Sequence, residues 1–168
     1  MYIVKSFGAR IRSVLDLPSI ALPHSGGAMI LEDNDCRKRL ELADHGILGT
    51  VHERRGVDLV PVCFAVIDDI VGIPVDLVKA KSSTRLQREA NLRVDGRATL
   101  LVENWSSTDW SALWWVRSTL VFDERVADRE RSQIKDLLSE RYAQYADQPF
   151  SGLLCFRLVS LSGWKAGG

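Results

Sequence analysis

The stretch 58–78, DLVPVCFAVIDDIVGIPVDLV, decides the fold. It holds two runs rich in β-branched and apolar residues, 58–67 and 70–78, separated by Asp68-Asp69. That pattern predicts two strands joined by a hairpin turn. Strands joined by so short a turn pair antiparallel. Pro61 and Pro74 fall inside the two runs. Proline cannot donate to a ladder, so each should mark a bulge, an edge or a ligand-facing position.

Outward from this hairpin the same grammar repeats. On its N-terminal side, ILGTVHE (47–53) predicts a strand closed by the polar turn RRG, and Asp33 to His45 predicts a helix. Asp33 or Asn34 can cap that helix and Gly46 can end it. On the C-terminal side, KAKSSTRLQREANLR (79–93) switches to helical behaviour, with Ser82, Ser83 or Thr84 as cap. Asp95-Gly96 then turns the chain into a strand over 97–105, and ALWWVRSTLVF (112–122) predicts a long strand. Residues 127–145 form the clearest amphipathic helix, with Ile134, Leu137, Leu138, Tyr142 and Tyr145 at 3–4 spacing and Pro149 as the stop. GLLCFRLVSLSGW (152–164) is the last strand. About six strands with three peripheral helices, and no βαβ alternation, predict a mainly β domain: a small antiparallel closed or split barrel.

The bulk numbers bound this reading. The chain has 168 residues, 22 basic and 22 acidic, so no global field draws nucleic acid or an anionic membrane. Cys36, Cys63 and Cys155 are odd in number and far apart, without a metal or disulfide spacing. They read as reduced, buried thiols of a cytoplasmic protein. No run of about 18 apolar residues predicts a membrane span. Residues 1–28 contain PSIALPHSGGA and little periodicity, so they are expected to be a loose extension, with the barrel domain spanning 29–168.

One segment carries chemistry. Lys79, Lys81, Arg85 and Arg88 cluster with Ser82, Ser83 and Thr84 at a strand end and a helix start. A helix N-terminus offers unpaired N–H groups and partial positive charge, so hydroxyls and cations there can hold a phosphate or polyanion. The alternative is a solvated basic helix with an ordinary cap.

Four stretches together resemble the pyridoxamine-phosphate-oxidase-like (PPOX class) superfamily, and within it the branch of coenzyme F-420-dependent enzymes. They are HGILGTVHERRGVDLVPVCFAV, VDLVKAKSSTRLQREANLRVDGRATLLVENW, ALWWVRSTLVF and FRLVSLSGW, covering most of 37–164. The resemblance lies in the arrangement: helix, glycine, two strands through a Pro-Val pair, a basic helix ending in Asn91-Leu92, then an Arg-led strand ending near Trp105. It departs at Asp95-Gly96-Arg97, where many relatives carry Asp-Pro before the Arg.

The resemblance implies a six-stranded split β-barrel of the FMN-binding type, a homodimer with cofactor at the interface. It implies a phosphate held by Lys79, Lys81, Ser82, Ser83 and Arg88, with Arg85 available to further negative charge. It places the tricyclic ring against Pro61, Val62 and Cys63, and lets the partner subunit contribute from Trp115, Arg117 and Trp164. The activity implied is hydride transfer between reduced coenzyme F-420 and a small-molecule acceptor. An FMN-dependent oxidoreductase on the same barrel, or a non-catalytic carrier of a flavin, deazaflavin or haem, are the other readings. The residues name no proton donor, and Glu103 and Asp109 are only distant candidates. Trp114 and Trp115 must face opposite sides of their strand. His45 and His52 read as ordinary turn histidines. Acceptor choice should lie in loops such as 106–111.

Overall fold

The computed structural model describes residues 29–76 and 86–167. The expectation for residues 1–28 therefore lies outside the described residues. The elements run β1 (Met29–Ile30), α1 (Asp33–Leu42), β2 (Gly46–His52), β3 (Gly56–Val62), β4 (Ala65–Ile67), β5 (Ile70–Asp76), α2 (Gln87–Val94), β6 (Arg97–Asn104), β7 (Trp114–Phe122), α3 (Asp128–Arg141) and β8 (Phe150–Lys165). The strands form one antiparallel sheet in the order β3-β2-β6-β7-β8-β5-β4, with β1 added alongside β8.

The sheet rolls up without closing. Its two end strands, β3 and β4, are consecutive in the chain and separated only by Cys63 and Phe64. The two sheet edges therefore meet at this corner with no ladder between them. Pro61, on the edge strand β3, lacks a donor there, and the fully buried Phe64 fills the corner from inside. Pro74 lies past the reach of the short β4, where β5 is locally an edge. The Asp68-Asp69 hairpin forms as expected, with Asp68 at φ 47°, a conformation that Asp tolerates.

Two cores result. Leu48, Phe64, Val71, Ile73, Leu100, Val102, Val116, Leu120 and Phe156 fill the barrel. Ile134 and Leu138 of α3 pack on Ala65, Ile70 and Cys155 from outside. Gly72 lets α3 approach this closely, since a Cβ there would lie 2.3 Å from Ile134 Cγ2. Across the molecule, Gly163 gives the same access to α1, because its Cβ would lie 2.7 Å from Cys36 Sγ.

Several expectations need correction. Among the described residues there are eight strands rather than six, because the run 58–67 breaks at Cys63-Phe64 and β1 adds a short pair. The first helix ends at Leu42, and its N-cap is Glu32 rather than Asp33 or Asn34. Gly46 opens β2 instead of ending α1, and is buried where a Cβ would lie 2.8 Å from Leu100 Cδ1. Helix α2 begins at Gln87 with Leu86 as its N-cap, whose N–H donates to the Glu89 carboxylate at 3.0 Å, in place of the expected Ser82, Ser83 or Thr84, which lie outside the described residues. The last helix gives way to a 3₁₀ turn at Ala143–Tyr145, and Leu137 is exposed.

Candidate functional site

Alternation along the strands sorts the residues into a buried inner face and an open outer one. On β7, Trp114, Val116, Ser118 and Leu120 point inward, while Trp115, Arg117, Thr119 and Val121 point outward. Residues directly opposite in an antiparallel sheet share a face. The register therefore builds rows across the outer face. One row is Ile30, Trp164, Trp115 and Glu103. The next is Ser162, Arg117, Leu101, Ile47 and Pro61. A third is Ser160, Thr119, Thr99, Gly49 and Leu59.

The middle of these rows lines a concavity of about 940 Å³, with Ile47, Val57, Leu59, Leu101, Trp115 and Val159 on its apolar side and Arg97, Arg117 and Glu103 among its polar residues. Gly49 deepens it, leaving the space that Leu59 and Val57 lean towards. The Arg117 guanidinium lies 5.7 Å from the centre of the Trp115 ring, a cation–π distance. Trp114 turns the other way and packs on the core, with the Arg39 guanidinium 4.7 Å from its ring centre. The expected opposition of the two tryptophans is therefore observed.

The structure brings some of the expected site residues together and separates others. Trp115 and Trp164 are cross-strand partners, with Arg117 beside them. Pro61 is exposed at the outer edge, in the same row as Arg117 with two strands between them. Val62 is buried in the barrel core, and Cys63 is half-buried in the corner. Lys79, Lys81, Ser82, Ser83 and Arg85 lie outside the described residues. Arg88 stands in the first turn of α2, donates from Nη2 to the Pro74 carbonyl at 3.4 Å and does not line the concavity.

Asp109 is committed elsewhere. Its carboxylate accepts from Ser111 Oγ at 2.6 Å and Ser111 N at 3.0 Å, and these bonds hold its pKa below the ordinary carboxylate value. It pins the 105–113 connection and is charged at neutral pH. Glu103 remains on the rim beside Trp115. His52 accepts the Arg54 N–H at Nδ1, a local turn bond, and His45 is exposed. Trp105 and Trp110 are exposed with ring centres 6.3 Å apart.

One polar cluster was not visible in the sequence. Asn91, buried in α2, donates through Nδ2 to Thr50 Oγ1 at 3.0 Å and to Asp58 Oδ2 at 2.9 Å, and accepts from Gln87 Nε2 at 3.0 Å. Arg55 grips Asp58 with two bonds of 2.9 Å, and with Asn91 lowers its pKa. The available signal was an asparagine, a poor helix former, placed mid-helix.

The outer face suits a flavin-like group chemically. It offers an apolar floor with an indole, space for a tricyclic ring, and Arg117 for an anionic substituent, while Arg97 is held by Asp95.

No family model and no curated protein matches the chain. Solved structures do. An FAD-binding protein from Mesorhizobium loti is 15% identical over 86% of this chain and 100% of its own, with a TM-score of 0.62. A conserved hypothetical protein from Mycobacterium tuberculosis is 18% identical over 80% of this chain and 85% of its own, with a TM-score of 0.63. An F420 reductase is 15% identical over 74% of this chain and 94% of its own, with a TM-score of 0.53. With the strand order and the open corner between β3 and β4, these likenesses show that the chain has the split-barrel fold of these proteins.

Proposed function

We propose that the protein is a coenzyme F-420-dependent oxidoreductase, acting as a cytoplasmic homodimer whose subunits join through the outer face. The observation that carries this reading is the adjacency of Trp115 and Arg117 in one apolar concavity, with Trp164 the cross-strand partner of Trp115, on a fold shared with flavin-binding proteins. When bound, the deazaflavin supplies a hydride from its C5, and the protein's task is to hold, orient and shield it. On this reading the tryptophans and Arg117 contact the ring system or the partner subunit, and Arg88 faces the phosphate. Lys79, Lys81, Ser82, Ser83 and Arg85 extend that basic site along the cofactor's anionic tail.

A second copy is the occupant that the outer face favours. Val57, Leu59, Val121 and Val159 are exposed together there, with cationic Arg97 and Arg117 and anionic Glu103 on the same face. A two-fold axis through such a face can set each sign against the other while covering the apolar floor.

FMN in place of the deazaflavin is supported by the FAD-binding proteins of the same fold. A non-catalytic carrier is supported by a heme-binding protein from Mycobacterium smegmatis with this fold and by the lack of a paired acid and base among the described residues of the concavity. Parallel fluorescence titrations with coenzyme F-420 and FMN decide among the three. Tighter F-420 binding with hydride transfer to any acceptor is expected. Tighter FMN binding moves the protein to the flavin reading, and binding without transfer leaves a carrier.

A further inference from the structure

We infer that Asn91 is a positioning residue for the phosphate site, holding α2 at the roll angle that aims Arg88; this rests on the reading of Arg88 as a phosphate ligand. The helix has few other means of fixing its orientation. It is eight residues long, and Leu92 is its only buried apolar side chain. A single apolar contact lets a short helix pivot, whereas directional bonds to fixed partners do not.

Asn91 supplies such bonds, since its two donors go to two different strands. Thr50 lies in β2 and Asp58 in β3, and the two residues are register partners facing the barrel interior. Its carbonyl is taken by Gln87, one turn earlier on the same helix. Asp58 cannot swing away, because Arg55 holds both of its oxygens. The chain Arg55–Asp58–Asn91–Gln87 therefore ties the helix to the sheet, with the Asn91–Thr50 bond as its buried centre and the Arg55–Asp58 pair as its exposed end.

Arg88 is three residues before Asn91 and four before Leu92, so at 3.6 residues per turn all three project from one side of α2. Fixing the roll at Asn91 fixes the direction in which Arg88 leaves the helix. Its Nη2 then reaches the Pro74 carbonyl near the end of β5.

The test separates positioning from general stability. Affinities of the wild type, Asn91→Ala and Arg88→Ala are measured for FMN and coenzyme F-420, and for riboflavin and the phosphate-free deazaflavin chromophore. Asn91→Ala is expected to weaken binding of the phosphate-bearing ligands about tenfold, as a misaimed charged hydrogen bond should, and to leave the phosphate-free ligands within about twofold. Equal weakening of both ligand classes, or of neither, overturns the inference. Should Asn91→Ala fail to fold, Thr50→Val removes one of its two anchors with little change of shape and is held to the same criterion. If the wild type itself makes no distinction between the two ligand classes, the phosphate reading of Arg88 has failed and this inference falls with it. If Arg88→Ala abolishes the distinction while Asn91→Ala and Thr50→Val preserve it, the inference alone has failed.

Discussion

Ser118 lies inside the barrel on β7, between Leu100 and Leu161, with its hydroxyl fully buried and no hydrogen-bond partner among the described residues. A buried donor without a partner costs its desolvation, and alanine has nearly the same shape. Ser118→Ala should therefore raise stability by about 1 kcal/mol in urea denaturation. A loss of stability would mean that the hydroxyl is satisfied after all. Arg88→Ala should weaken binding of the phosphate-bearing cofactor by about 1.5–3 kcal/mol, read by titration, while His52→Ala changes nothing. At this scale the sequence was informative where alternation alone sets direction, as for Trp114 and Trp115. It misled where the partner is distant or the loop shape decides. Val62 looked ring-facing from its place beside Pro61, yet its parity on β3 sends it into the core. Asp109 was a distant candidate for proton work, and its carboxylate instead caps its own loop.

The elements meet through glycines that admit side chains from the opposite layer. At Gly72 on β5, an added methyl would collide with Ile134 of α3, whose side chain is fully buried. Gly72→Ala should destabilise the protein by about 1–3 kcal/mol, as overpacking does. Adding Ile134→Ala removes the colliding Cγ2, so the double variant should lose less than the sum of the two single ones. Additive losses would show that α3 does not rest on Gly72. The amphipathic pattern of 127–145 announced α3 well, because a lone covering helix must bury one stripe. The break of 58–67 at Cys63-Phe64 was illegible for the opposite reason. Phe64 and its neighbours are as apolar as the strands around them, and only the curvature of the whole sheet makes a corner there. Gly46 was ambiguous too, since a glycine after a helix serves equally as a stop or as a close contact, and here Leu100 decides for contact.

Charge and shape act on the whole molecule. Asp58, Asp95 and Asp123 all have pKa values below their ordinary carboxylate range, chiefly through bonds from Arg55, Arg97 and Arg125, and Asp95 is brought down to about 2. Each favours the folded state above the unfolded carboxylate value near 4 and loses that contribution as pH falls towards the folded one. Burial raises the pKa of the Cys36 and Cys155 thiols and the Tyr142 phenol, so their contribution is present at neutral pH and lost as pH rises past their unfolded values, roughly 8.5–10. Stability should therefore form a plateau between those limits, and Asp95→Asn should flatten its acidic shoulder in pH-dependent melting. The outer face gives the last test, because the fold can tolerate charge there only if nothing covers it. Leu59 and Val159 are 66% and 61% exposed, so lysines at both should leave a monomer folded and soluble. If a second copy covers that face, two cations buried against apolar surface will split the dimer. Leu59→Lys with Val159→Lys is accordingly expected to convert a dimer into a monomer in sedimentation velocity with its melting curve still cooperative. A variant that sediments like the parent would place the interface elsewhere, and the paired tryptophans would then have to be explained by the ligand alone.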